Sequence, residues 1–146
     1  MELEEGNYES SIDIFQEGLQ KVKNLENDYF SYLFNEGLGD VYSEQGKFDR
    51  SVRYYEDAIE NAERIRKGIG LEGHRSSFMS GVMDVYRKLS NVQIKMGEDE
   101  DAYYTYERMK ARNLLDILDG AFLVFEDEMT PEEIEKEQSV EGKLRN

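Results

Sequence analysis

The chain has no cysteine, no tryptophan, one proline and one histidine in 146 residues. Without cysteine there is no disulfide, no thiol nucleophile and no thiolate metal site. Near-absence of proline leaves long stretches free to be helical. Positive charge is scarce: 18 Lys and Arg stand against 33 Asp and Glu, a formal net charge of −15. A phosphate-binding surface needs clustered cations, so nucleic acid is not an expected partner. No run of about 18 apolar residues occurs, so no membrane span is expected. The start, MELEEGNYE, is acidic and lacks the apolar core of a signal peptide. These features suit a protein of the cytoplasm. What is present is 38% hydrophobic and 35% charged residues, the balance of amphipathic helices.

The most informative stretch is Leu38 to Ala58, LGDVYSEQGKFDRSVRYYEDA. Phe34, Leu38, Val41 and Tyr42 fall on one helical face. Gly39 lets a neighbouring helix approach its backbone, and Gly46 can take the positive φ that stops a helix. Phe48, Val52, Tyr55, Ile59 and Ala62 then form a second stripe, with small Ser51 and Ala58 allowing a tight crossing. Such a hairpin cannot bury its apolar face alone and needs stacked neighbours. The stretch resembles the tetratricopeptide repeat (TPR). The expected fold is all-α, a TPR-like right-handed superhelical stack of antiparallel helix hairpins.

Residues 6 to 24 align with the second half of that repeat at an offset of 40. Gly6 pairs with Gly46, Tyr8 with Phe48, Ser11 with Ser51, Phe15 with Tyr55 and Gly18 with Ala58. Ile12, Phe15, Leu19 and Val22 supply the apolar face. The expectation is that 1–25 is the second helix of a truncated repeat whose first helix precedes Met1. Asn27 or Asp28 can cap the next helix, and 26–67 forms the hairpin, with Glu60 and Arg64 at ion-pair spacing. The Gly-rich stretch 68–75 reads as a linker. In 76–120, Ser76 or Ser77 is the expected cap. Phe78, Val82, Val85, Leu89, Val92 and Met96 recur at steps of 4, 3, 4, 3 and 4. Gly97 is a turn, and Ala102, Tyr106 and Met109 continue a second helix. Ala102 follows Ser51 by 51 residues, so this repeat carries an 11-residue insertion relative to the first offset. Asp119-Gly120 reads as a break unless AFLVF prolongs the helix. Within 121–146, Phe122 to Phe125 form an apolar segment, and Thr130-Pro131-Glu132-Glu133 starts a helix with a capping hydroxyl, proline and acids.

The second half narrows the resemblance. SFMSGVMDVYRKLSNVQIKMGEDEDAYYTYERMKARNLLDIL is similar to the last repeat before the caspase-like domain of CHAT-domain proteins. The matching features are Phe78, Val85-Tyr86, Gly97, Ala102 and the run from Glu107-Arg108 through Lys110-Ala111-Arg112 to Leu114-Leu115. That resemblance implies a regulatory, scaffolding arm without catalysis. The family's catalytic histidine and cysteine belong to a domain that would follow Asn146.

No catalytic or cofactor-binding residues are expected. His74 lies in the linker with no second histidine to share a metal. Glu98 to Asp101 and Glu126 to Glu128 lack the spacing of a calcium loop and read as caps or solvated turns. Tyr42, Tyr55, Tyr86 and Tyr106 are expected in the core, and Tyr103 and Tyr104 between repeats. In TPR arrays the first helix of each repeat lines a groove. By that resemblance the groove holds Leu33, Glu36, Asp40, Ser43 and Glu44, then Asp84, Arg87, Asn91, Ile94 and Lys95. Glu36 and Asp40 would repel a carboxylate, so a protein or peptide with basic residues is the expected partner. Arg108, Lys110 and Arg112 read as a ridge for docking a following domain, or as a solvated face. Exposed repeat ends are a second expected route, to self-association.

Overall fold

In the computed structural model five helices follow one another: α1 Glu5–Lys23, α2 Asp28–Glu44, α3 Phe48–Gly68, α4 Arg75–Met96 and α5 Asp99–Glu128. The structure describes residues 5–68, 75–128, 132, 135, 136, 139 and 140, and the side chains of 5, 6, 68, 75–77 and 122–128 are not among those described. No strand occurs among them. The expectations for His74, for most of the 68–75 linker, for the packing of Phe122 to Phe125 and for the Thr130-Pro131 start lie outside the described residues. The chain divides into two compact units, Met1–Met109 and Lys110–Asn146. In the second, the described residues Lys110 to Glu128 continue α5 without a break at Gly120. The alternative reading at Asp119-Gly120, a prolonged helix, therefore applies. Gly120 meets no neighbour that a Cβ would touch.

The hairpin turns of the first unit are built on glycine. Gly46 and Gly97 have φ of 69° and 78°. After α2, the Gly46 amide donates to the Ser43 carbonyl and the Lys47 amide to the Tyr42 carbonyl. After α4, the Gly97 and Glu98 amides bond Ile94 and Gln93 in the same pattern. Both are Schellman caps, which satisfy the last carbonyls of the helix. Every atom of one motif lies 51 residues from its counterpart in the other, so the repeat offset extends to single hydrogen bonds.

The α1–α2 turn makes the same cap without glycine. Glu26 has φ of 49°, with its amide on Lys23 and the Asn27 amide on Val22. A left-handed L-residue costs roughly 1–2 kcal/mol, more than the ~0.4–1 kcal/mol that glycine's unfolded-state freedom costs. Its carboxylate also faces the negative end of α1. Glu26→Gly should therefore stabilise the unit by about 0.5–1 kcal/mol, read as a higher urea midpoint with an unchanged slope. Asn27 then caps α2, its side chain accepting from the Phe30 amide at 3.2 Å.

The helices meet at small residues. α2 carries two glycines on opposite sides. A Cβ on Gly37 would lie 2.8 Å from the Phe15 ring of α1, and one on Gly39 2.5 Å from the Tyr55 ring of α3. Gly18 of α1 is closed in the same way by Phe34. The expected pairing of Phe15 with Tyr55 thus has a physical meaning: each ring presses on a glycine of α2. The pairing of Gly6 with Gly46 does not hold, because Gly6 lies within α1 while Gly46 makes a left-handed turn.

The core runs through α2, α3 and α4. Tyr32, Tyr55, Ala58, Ile59, Ala62, Ile65, Val82, Met83, Val85, Tyr86, Leu89 and Val92 form one buried cluster, edged by Phe48, Val52, Phe78, Met96 and Met109. The expected stripe of α4 is the buried one. At the centre of the α2–α3 hairpin, Ser51 Oγ donates to the Gly39 carbonyl at 2.8 Å. Between α4 and α5, Ser90 Oγ donates to the Ala102 carbonyl at 3.1 Å. Again the pairs are 51 residues apart, but donor and acceptor have changed helices.

Candidate functional site

The first helices of the two hairpins, α2 and α4, lie side by side and run the same way. Near their N-termini, the Tyr32 ring meets Phe78 edge-on at 5.5 Å, with Tyr29 at 6.3 Å from the same ring. Gly81 leaves room for the Tyr32 hydroxyl, which would sit 3.2 Å from a Cβ there. Further along, Lys88 of α4 reaches across to α2. Its Nζ donates to Glu36 at 2.9 Å and to Asp40 at 3.0 Å, with Asp84 at 3.8 Å. Tyr55 Oη of α3 donates to the other Asp40 oxygen at 2.7 Å.

These contacts set the electrostatics. Burial pulls the Lys88 ammonium down, but its bonds to Glu36 and Asp40 outweigh that and hold it above the usual lysine range. The Tyr55 hydroxyl is pushed up by burial first and then by Asp40. Tyr32 is pushed up by burial and by Glu36. A raised lysine contributes stability throughout the range below its unfolded value, and loses it as pH climbs through the folded one. The three partners are one-fifth to two-fifths exposed, so the Coulomb gain is partly screened. Lys88→Met should cost about 1 kcal/mol at neutral pH. The difference from wild type should shrink above the lysine range, as shown by urea unfolding at neutral and strongly alkaline pH.

Lys88 is the residue that reading the sequence missed, and it changes the site. Glu36 and Asp40 are not free acids awaiting a basic partner; they are held by a cation from the neighbouring repeat. A signal for it existed, because Lys88 stands on the same helical arc as Asp84, Asn91 and Lys95. The other groove residues lie open. Glu44, Asp84, Arg87, Asn91 and Lys95 are exposed, and Ser43 is half-buried. Leu33 and Ile94 are apolar and exposed. Lys95 extends over the Phe48 ring at 5.8 Å. The face thus sets four carboxylates, Glu36, Asp40, Glu44 and Asp84, against three cations, Arg87, Lys88 and Lys95. It is close to neutral on a strongly acidic chain.

Residues 36–67 match the family model for the tetratricopeptide repeat. The match covers the length of the α2–α3 hairpin from Glu36 onward, and the TPR pattern of Gly39, Gly46, Ser51 and Ala58 is the part of it whose packing is described above. An all-α, TPR-like repeat fold is the architecture of the chain. No curated protein and no solved structure matches it.

The TPR surface also includes α5, where several expectations shift. Tyr106 is exposed rather than core, and Tyr103 and Tyr104 are about two-thirds exposed rather than packed between repeats. The inward face of α5 is Ala102, Thr105 and Met109, one residue round from the expected Ala102, Tyr106 and Met109. Thr105 is buried and its hydroxyl donates to Gln93 Oε1 at 2.8 Å. Arg108 lies over the rings of Tyr86 and Tyr104, at 5.5 and 5.8 Å. Its guanidinium is committed to those faces and is not part of an open basic ridge. Lys110 is exposed and Arg112 half-buried. Glu98 to Asp101 are exposed, and three of them open α5, where the helix dipole favours acids.

Proposed function

We propose that the chain is a protein-interaction scaffold whose partner lies along α2 and α4. The observation carrying this reading is the pairing of the two first helices by Lys88, which fixes their spacing and leaves an open, nearly neutral strip. Leu33 and Ile94 give it apolar contacts, and Ser43, Arg87, Asn91 and Lys95 give it hydrogen-bonding ones. With Glu36 and Asp40 engaged, a basic partner is favoured only slightly, by one surplus negative charge. A peptide or loop of mixed charge fits this strip. The finer reading is the helical arm of a CHAT-type cytoplasmic protein, supported by the resemblance of residues 76–119 to the last repeat of such arms. In that setting a bound partner would change how the arm rests on a protease-like domain.

Two experiments separate the outcomes. Affinity capture is run with wild type and with the triple variant Arg87→Glu, Asn91→Arg, Lys95→Glu, all at exposed positions. A partner on this strip should be lost at least tenfold, and equal capture sinks the assignment. Reading the coding sequence past Asn146 tests the finer reading. An α/β domain bearing His and Cys supports the arm, whereas further repeats or a stop point to a free-standing adaptor.

A further inference from the structure

On the side of α2 away from Lys88, a cleft of about 510 Å³ opens between α1, α2 and α3. Leu19 and Val22 of α1 form its apolar wall. Asn35 and Asn61 lie at its base, each about 5% exposed. Their amides form a directed chain: Asn35 Nδ2 donates to Asn61 Oδ1 at 2.8 Å, and Asn61 Nδ2 donates to Asp28 at 3.3 Å. The chain uses up donors and leaves one acceptor over. Asn35 Oδ1 is buried with no hydrogen-bond partner. A buried amide oxygen left unpaired costs free energy, so a donor is called for.

The charge around it identifies that donor. Glu26, Asp28, Asp57 and Glu60 line the cleft against Lys23 and Arg64. Arg64 is already spent, its Nε on Asp28 and its Nη1 on Glu60, both at 2.9 Å. The Asp57 carboxyl sits above the usual range, pushed there by burial and then by Glu60, despite Lys23, Arg53 and Arg64 nearby. A water would satisfy the oxygen but leave the surplus of negative charge. A cation with N–H groups meets both needs, and Leu19 and Val22 suit an alkyl stem.

We propose that this cleft is a second binding site, taking the ammonium end of a lysine side chain from a protein partner. One N–H donates to Asn35 Oδ1, the charge faces Asp57 and Glu60, and the methylenes lie on Leu19 and Val22. The site is independent of the α2–α4 strip, from which α2 separates it.

The test is a titration of the whole chain by amide NMR in about 0.15 M salt, with the capped peptide acetyl-Gly-Gly-Lys-Gly-Gly-amide. The side-chain amides of Asn35 and Asn61 and the backbone amides of Asp28 and Asp57 should shift together on one saturating curve. The same peptide with acetyl-lysine should move none of them. Asn35→Leu should abolish saturation. Because it also strips Asn61 of a partner and could unfold the unit, Asp57→Asn at the rim is the second variant. It should fold at least as well as wild type at neutral pH, since a raised carboxyl is a cost when ionised, and it should bind at least tenfold more weakly. No shift means the oxygen is served by water alone and overturns the proposal. Non-saturating shifts over the whole acidic surface, an equal response to acetyl-lysine, or unchanged binding by Asp57→Asn also overturn it.

Discussion

Gly39→Ala should destabilise the first unit by roughly 1–3 kcal/mol, although alanine is the better helix former. In an open helix interior the exchange gains up to about 1 kcal/mol. At Gly39 the new Cβ would stand 2.5 Å from both Cδ1 and Cε1 of Tyr55, inside any tolerable contact. The ring cannot swing aside freely. It is buried, it belongs to the core cluster, and its hydroxyl is tied to Asp40. Relief requires α2 and α3 to part, which also stretches the Ser51 bond to the Gly39 carbonyl. Overpacking of that kind costs ~1–3 kcal/mol and outweighs the propensity gain. Gly120→Ala supplies the control. It makes the same exchange within α5 where nothing lies within 4 Å, so its effect should have the opposite sign, a gain of about 0.5–1 kcal/mol. Urea unfolding of both variants checks the pair. Equal signs would mean that backbone propensity, and not the Tyr55 contact, governs Gly39.

Leu89→Ala should cost roughly 2–5 kcal/mol, as large a loss as any single truncation in this fold. Leu89 is fully buried in the cluster that joins α2, α3 and α4. Its neighbours in that cluster include Tyr55, Val82, Val85 and Tyr86, rings and β-branched residues held by several helices, which collapse poorly into a void. A domain of this size has a total stability of about 5–15 kcal/mol, so the variant should be near its folding limit at 37 °C. Circular dichroism melting with a near-ultraviolet probe of the tyrosines reads the loss. Retention of the wild-type melting temperature would place the core elsewhere.

How far the molecule could be read in advance depended on whether a feature is local. The stripe from Phe78 to Met96 and the turns at Gly46 and Gly97 were legible because helical period and left-handed φ are properties of a short stretch. Asn27 as a cap was legible for the same reason. Glu26 was hidden, since the left-handed position there is held by a residue that gives no sign of it. Tyr106 was misplaced because steps of three and four are both compatible with one face over two turns. The bond from Thr105 to Gln93, on another helix, decides the rotation. Lys88 and the Asn35–Asn61 pair were invisible for a stronger reason. Lys88 meets acids 48 and 52 residues away, and the two asparagines are 26 apart. Only the stacking of hairpins brings them together. The strip was therefore located correctly by helix order, while its charge was misjudged.

The inverted serine bonds have a bearing on how such repeats can be recombined. Gly39 and Ser51 form a matched lock and key, and so do Ser90 and Ala102, but the teeth are cut on opposite members. Splice α2 onto α5 and a glycine faces an alanine, with no hydroxyl between them. Splice α4 onto α3 and two hydroxyls compete at a crossing shaped for one. Whole hairpins are thus the smallest units that can be shuffled, by an engineer or by gene duplication, without disabling the latch at their centre.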